Sequence, residues 1–115
     1  MEQIKPIIIK DNDTEAEYTL EFNRESVRFA ESKGFVFEDL ANYPMTKIPE
    51  LFFYAFRMHH KNIARNQTDA ILDKMNGIPA GLLERLTELY AVPFETLNIV
   101  EEGEERKNSP IAIDF

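Results

Sequence analysis

Residues 4–10 include the β-branched run Ile7, Ile8 and Ile9, and residues 18–22 alternate as Tyr-Thr-Leu-Glu-Phe, which sets Tyr18, Leu20 and Phe22 on one face. β-Branched runs and period-two alternation mark strands, because successive side chains of an extended chain point to opposite sides. Between them stand Asp11, Asn12, Asp13 and Thr14, whose short polar side chains bond to nearby backbone and tolerate turn conformations. The two strands are therefore expected to form an antiparallel hairpin.

The period then lengthens. A short helix is expected from Asn23 or Arg24 through Val27, Ala30 and Lys33, closed by Gly34, the residue that most readily takes the left-handed conformation past a helix end. Phe35-Val36-Phe37 fits either a third strand or the approach to a helical turn through residues 38–41, and periodicity leaves both open. Thr46 is a plausible N-cap, with Pro49 and Glu50 in the first turn. Ile48, Leu51, Phe52, Ala55, Phe56, His59 and Ile63 follow at three- and four-residue steps and predict the strongest helix of the chain. A further helix capped by Asn66 or Thr68 carries Ala70, Ile71, Leu72 and Met75 and stops at Asn76-Gly77. Pro79 opens the next, whose apolar face is Leu82, Leu83, Leu86, Leu89 and Tyr90 and which Pro93 closes. These two helices are expected to pack on each other and on the Phe-rich helix.

The expected architecture is a single α+β domain over residues 1–100, an N-terminal β-hairpin followed by a mainly helical body. Residues 101–115 begin with an acidic, aperiodic stretch that reads as a mobile tail and end with alternating Ile111, Ile113 and Phe115, a segment able to add to a sheet edge or fill a groove. A strand folded back on the chain's own hairpin fits that pattern equally well.

Charge and composition narrow the chemistry. Thirteen Lys and Arg against twenty-one Asp and Glu give a formal charge of −8, a field that repels nucleic-acid phosphates and anionic lipid and favours partners with basic patches. The absence of Cys removes disulfides, thiolate catalysis and Zn–thiolate or iron–sulfur sites. No stretch is long and apolar enough for a signal h-region or a membrane span, so a cytosolic protein is expected. His59 and His60 are adjacent and diverge by about 100° on a helix, which denies them a shared metal. His59 is expected half-buried on the apolar stripe and His60 at the surface. Asp11 and Asp13 begin like a calcium loop, but the sixth-position Gly is missing and Phe22 stands where the bidentate carboxylate belongs. Four Gly, at 34, 77, 81 and 103, assemble neither a P-loop nor a dinucleotide turn. Neither enzymatic activity nor a cofactor or metal is expected.

The one basic–amide neighbourhood, Lys61, Arg65 and Lys74 with Asn62, Asn66 and Gln67, lies in or beside a helix–turn–helix over residues 68–90, so a small DNA-binding regulator is the alternative. Its second helix offers one Arg, two Glu and no amide to reach base edges, which favours an ordinary helical hairpin.

Binding to another protein is the expected mode of action. Phe52, Phe53, Tyr54, Phe56 and Met58 make the Phe-rich helix apolar most of the way round. With Ile111, Ile113 and Phe115 they are the candidate protein-binding residues, since they cannot all face one core. In order along the chain, the Tyr-Thr-Leu-Glu-Phe-Asn hairpin strand, the helix through Phe29-Ala30, the Phe35-Val36-Phe37-Glu38-Asp39-Leu40 segment, the helix beginning Ile48-Pro49-Glu50-Leu51-Phe52, the Asp-Lys-Met-Asn-Gly-Ile-Pro turn and the Leu-rich helix after it resemble the small tail assembly chaperones of long-tailed bacteriophages over roughly residues 7–100. The resemblance implies a non-enzymatic, self-associating chaperone in the bacterial host cytoplasm, coating the tape-measure protein and bringing tail-tube subunits to it. It also implies a longer form made by translational frameshifting near the C-terminus.

Overall fold

The computed structural model of the protein describes residues 4–97. It has the α+β order read from the sequence, a two-stranded antiparallel hairpin and then four α-helices with two short 3-10 segments. Strand β1 (Ile7–Asp11) pairs with β2 (Ala16–Leu20) so that Ile8 faces Thr19 and Lys10 faces Glu17. The pairing ends at Leu20 because the Glu21 N–H turns away to donate to the Ala55 carbonyl at 3.0 Å. Phe22 still reaches the core. At the turn Asp11 Oδ1 accepts the N–H groups of Asp13 at 3.0 Å and Thr14 at 3.4 Å, the local bonding that its side chain suits.

Two contacts from the helical body hold the hairpin. Lys74 Nζ lies 2.7 Å from Asp11 Oδ2 and 3.2 Å from Asp13 Oδ2, which lowers the pKa of Asp11 and raises that of Lys74. His60 Nε2 accepts the Thr19 N–H at 3.0 Å, closing the outer edge of β2 two residues before the Glu21–Ala55 bond. Burial, reinforced by the neighbouring His59, lowers the pKa of His60, and the unprotonated Nε2 is the form that can accept this bond. The histidines thus exchange their expected places: His60 is half-buried under Tyr18, whereas His59 is exposed and reaches Glu21 at 2.8 Å.

Helix α1 (Arg24–Ser32) starts with a reciprocal cap, Asn23 Oδ1 accepting the Ser26 N–H at 2.8 Å and Ser26 Oγ accepting the Asn23 N–H at 2.9 Å. It ends as its glycine predicts. Gly34 has φ +91°, and the Phe35 N–H reaches back to the Ala30 carbonyl at 3.1 Å, which turns Phe35 into the core. A 3-10 turn over Phe37–Leu40 settles the open choice after it, with no third strand among the described residues.

Helix α2 (Pro44–Ala55) begins two residues before the expected cap and ends well before Ile63. Pro44 at its first position needs no N–H there and disfavours a helical Tyr43, so the helix starts at the proline. Beyond Ala55 the chain tightens into turns, with Phe56 N–H donating to the Phe53 carbonyl and His60 N–H to the Phe56 carbonyl. This early exit frees the Ala55 carbonyl for Glu21 and carries His60 to β2. Leu51, Phe52, Ala55 and Phe56 are fully buried and Tyr54 nearly so, covered by α1, α3, α4 and the 3-10 turn.

Helix α3 (Arg65–Met75) is capped at Ala64, two residues before the nearer of the expected caps, with Gln67 Oε1 accepting the Ala64 N–H at 2.7 Å. It stops where predicted, with Asn76 and Gly77 both at positive φ. Helix α4 (Ala80–Ala91) follows Pro79 and runs into a second 3-10 segment, Val92–Leu97. Each of α3 and α4 packs on α2, whereas they approach each other little, which corrects the expected helical hairpin. Burial of the aromatics on both sides of α2 requires the two helices to sit apart.

Two outcomes follow. Phe52→Ala removes a fully buried ring and lowers stability by about 3–5 kcal/mol in denaturant titration, a large part of a small domain's total. Because the His60 pKa is depressed in the fold, its stabilising bond is fully present above the unfolded value of about 6.5 and is lost as pH falls through the folded value. The melting temperature of the native chain is therefore expected to fall as pH drops below about 6.5, and His60→Gln, which can accept the Thr19 N–H without titrating, to flatten that fall.

Candidate protein-binding surface

Tyr90 organises the aromatic side of the core. Phe22 and Phe35 meet it edge-on with centroids at 5.1 and 5.7 Å, Phe37 stacks on it at 4.9 Å, and Phe94 leans on it at 5.7 Å. Burial, with the nearby carboxylates of Glu31 and Glu38, pushes its hydroxyl pKa up to about 12, so it is a neutral phenol at any physiological pH. Burial also raises that of Tyr54, with Glu50 adding and Arg65 opposing. The stack joins two segments distant in sequence, residues 36–45 and the 3-10 segment Val92–Leu97.

Five of the six large hydrophobic side chains exposed among the described residues lie on these two segments: Val36, Tyr43, Met45, Phe94 and Leu97. Met45 is 90% exposed and Tyr43 61%, values that intramolecular packing does not account for. Local structure explains how they are held out. The Asp39 carbonyl accepts the N–H of Asn42 at 3.1 Å and of Tyr43 at 2.9 Å, which fixes the approach to α2. Pro44 then starts the helix abruptly, so Met45 stands in its first turn. Pro49 lacks the N–H that the Met45 carbonyl would otherwise accept. Beside Phe94 a groove of about 160 Å³ has apolar lining from Val27, Pro93 and Leu97 and charges from Arg24, Arg28 and Glu31. Glu38 and Asp39 on the adjoining 3-10 turn give this end of the molecule an acidic border.

The sequence-derived candidates divide. Phe52, Tyr54 and Phe56 belong to the core, where they have no surface to offer. Phe53 and Met58 are half-buried. Phe53 tilts against Tyr54 at 5.2 Å and shares a small cavity with Phe29, over which the Arg57 guanidinium lies at 3.8 Å while bonding to Glu25 at 3.1 Å. Ile111, Ile113 and Phe115 lie outside the described residues, as does the tail from Glu101. Sequence reasoning missed Val36, Tyr43, Met45, Phe94 and Leu97, because none belongs to a periodic stripe. The available signal was Pro44, an N1 proline that places Met45 inside the helix and off its buried face.

The basic neighbourhood of the alternative reading is largely paired within the chain, Lys74 with Asp11 and Asp13, and Arg65 with Asp69 at 3.0 Å. Arg85, the only Arg of α4, donates to the Lys5 carbonyl. Among the described residues no group of three or more His, Cys, Asp or Glu could hold a metal ion, and no helix is long and apolar enough to cross a membrane.

No curated protein and no solved structure matches the chain. The family described as a domain of unknown function (DUF5055) matches residues 2–115, almost the entire chain, and the chain belongs to that family.

Proposed function

We propose that the protein is a non-enzymatic assembly chaperone of the phage-tail type, which binds the tape-measure or tail-tube protein through the apolar surface of Val36, Tyr43, Met45 and Phe94. The observation that carries this reading is that five of the six exposed large hydrophobics among the described residues lie on two segments, 36–45 and Val92–Leu97, that the Phe37–Tyr90–Phe94 ring contacts join. Such a surface gives a helical, aggregation-prone partner an apolar face to cover, and the formal charge of −8 keeps a protein with that surface soluble. The order of elements that resembles the tail chaperones supplies the class of partner. The acidic border of Glu38 and Asp39 favours a partner segment that alternates apolar and basic residues.

The pairing of Lys74, Arg65 and Arg85 within the chain weighs against the DNA-binding alternative, since phosphate contacts depend on free local cations.

The test is binding to tape-measure and tube proteins encoded in the same gene cluster, measured by co-purification and titration. Met45→Asp combined with Tyr43→Asp, at the two most exposed positions of the surface, is expected to weaken binding at least tenfold, roughly 1.4 kcal/mol, while the melting temperature stays close to that of the native chain. Binding that is unchanged in this variant, or found instead to DNA with a steep salt dependence, overturns the reading.

A further inference from the structure

The two edges of the hairpin are not alike. On β2 the outward Thr19 N–H is taken by His60 Nε2 and, just past the strand, the Glu21 N–H by the Ala55 carbonyl. Antiparallel ladders alternate, so Ile8 and Lys10, which face Thr19 and Glu17, point their own N–H and C=O groups away from β2. Asp11 obeys the same alternation, turning its carbonyl inward to the Glu15 N–H at 2.7 Å. The four outward groups of Ile8 and Lys10 have no hydrogen-bond partner among the described residues. A strand edge in this state is a template for another strand. Ile7 and Ile9 are partly buried against the core, and Ile8 is 56% exposed on the other face. At the turn end of β1 a cavity of about 300 Å³ opens, with Ile9, Ile71, Met75 and Lys74 in its lining.

We infer that β1 of a second copy of this chain occupies the edge, antiparallel to the first, and joins the two hairpins into one four-stranded sheet about a twofold axis at Ile9. Since Ile8 and Lys10 carry the outward groups, a twofold pairing sets Ile8 against Ile8, Lys10 against Lys10, or Ile8 against Lys10 of the copy. The first opposes Lys10 to Pro6, which has no N–H to give. The second brings like charges directly opposite each other. The third has neither fault: it satisfies all four outward groups of each strand and repeats itself under the axis, as a closed dimer requires. Ile8 then lies against the aliphatic stem of Lys10 of the copy, whose own Glu17 stands on its other side. On the core side Ile9 meets Ile9, and Ile7 of the copy falls opposite Asp11, beside the cavity, where Ile71 and Met75 offer it apolar lining. Charge agrees with this occupant. Two chains of formal charge −8 repel on average, but at this edge Asp11 is held by Lys74 and Glu17 stands opposite Lys10. The inference goes beyond the chaperone reading and does not rest on it.

Sedimentation equilibrium of the full chain is expected to give twice the 13.4 kDa of one copy, falling toward one copy on dilution. Ile8→Pro removes an N–H that β2 does not use, a change that an edge strand tolerates. It is expected to raise the dissociation constant by roughly tenfold or more while the circular dichroism stays that of the native chain. Because the chain has no Cys, single-cysteine chains report the register, and they do so whether or not Ile8→Pro keeps its fold. On mild oxidation of an equal mixture, Ile8→Cys and Lys10→Cys chains are expected to join each other roughly fivefold more than either joins itself, since directly opposed positions lie within disulfide reach and diagonal ones do not. A single copy at every concentration, a folded Ile8→Pro chain that dimerises as the native one does, or self-joined disulfides as abundant as mixed ones each overturns the inference.

Discussion

Burial of α2 on nearly every side is the constraint on which the rest of this fold depends. A helix that presents Leu51, Phe52, Tyr54 and Ala55, and passes at once to Phe56, has no polar face to leave in water over its second half. Each remaining element takes part of that surface: α1 and the 3-10 turn cover one side, α3 and α4 others, and the hairpin caps the exit through Tyr18 on Phe56 at 5.5 Å. The helix ends at Ala55 for the same reason. Its released carbonyl and the turn that follows it are what dock β2, so core packing and strand closure are one event in the chain.

The same constraint fixes where apolar surface is left over. Packing partners cover the middle and the exit of α2, and none covers its first turn or the segment that leads into it. Met45 and Tyr43 stay outside there, and the stack of Phe37, Tyr90 and Phe94 carries the apolar surface on to the last described turn. The ring contacts among Phe37, Tyr90 and Phe94 hold this apolar surface from beneath.

Much of this was legible in the sequence. The Asp11 turn, the Asn23 start, the Gly34 stop and the Asn76-Gly77 stop each rest on chemistry confined to a few residues, and the structure places them as that chemistry requires. What could not be read depends on contacts far apart in sequence. Periodicity carried α2 on to Ile63 because nothing local reveals that Glu21 claims the Ala55 carbonyl or that Thr19 claims His60. For the same reason the apolar excess was assigned to Phe52, Tyr54 and Phe56. A single helix cannot tell that its neighbours surround it, and the residues left uncovered, Tyr43 and Met45, belong to a stretch with no period at all.

The central claim, that this end of the molecule is the binding surface, is tested most directly by a hydrogen-exchange footprint of the protein with and without the tape-measure protein. Slower exchange confined to residues 36–45 and 92–97 on complex formation is the predicted result. Protection centred on α3 and the hairpin, with residues 36–45 unchanged, would contradict the account.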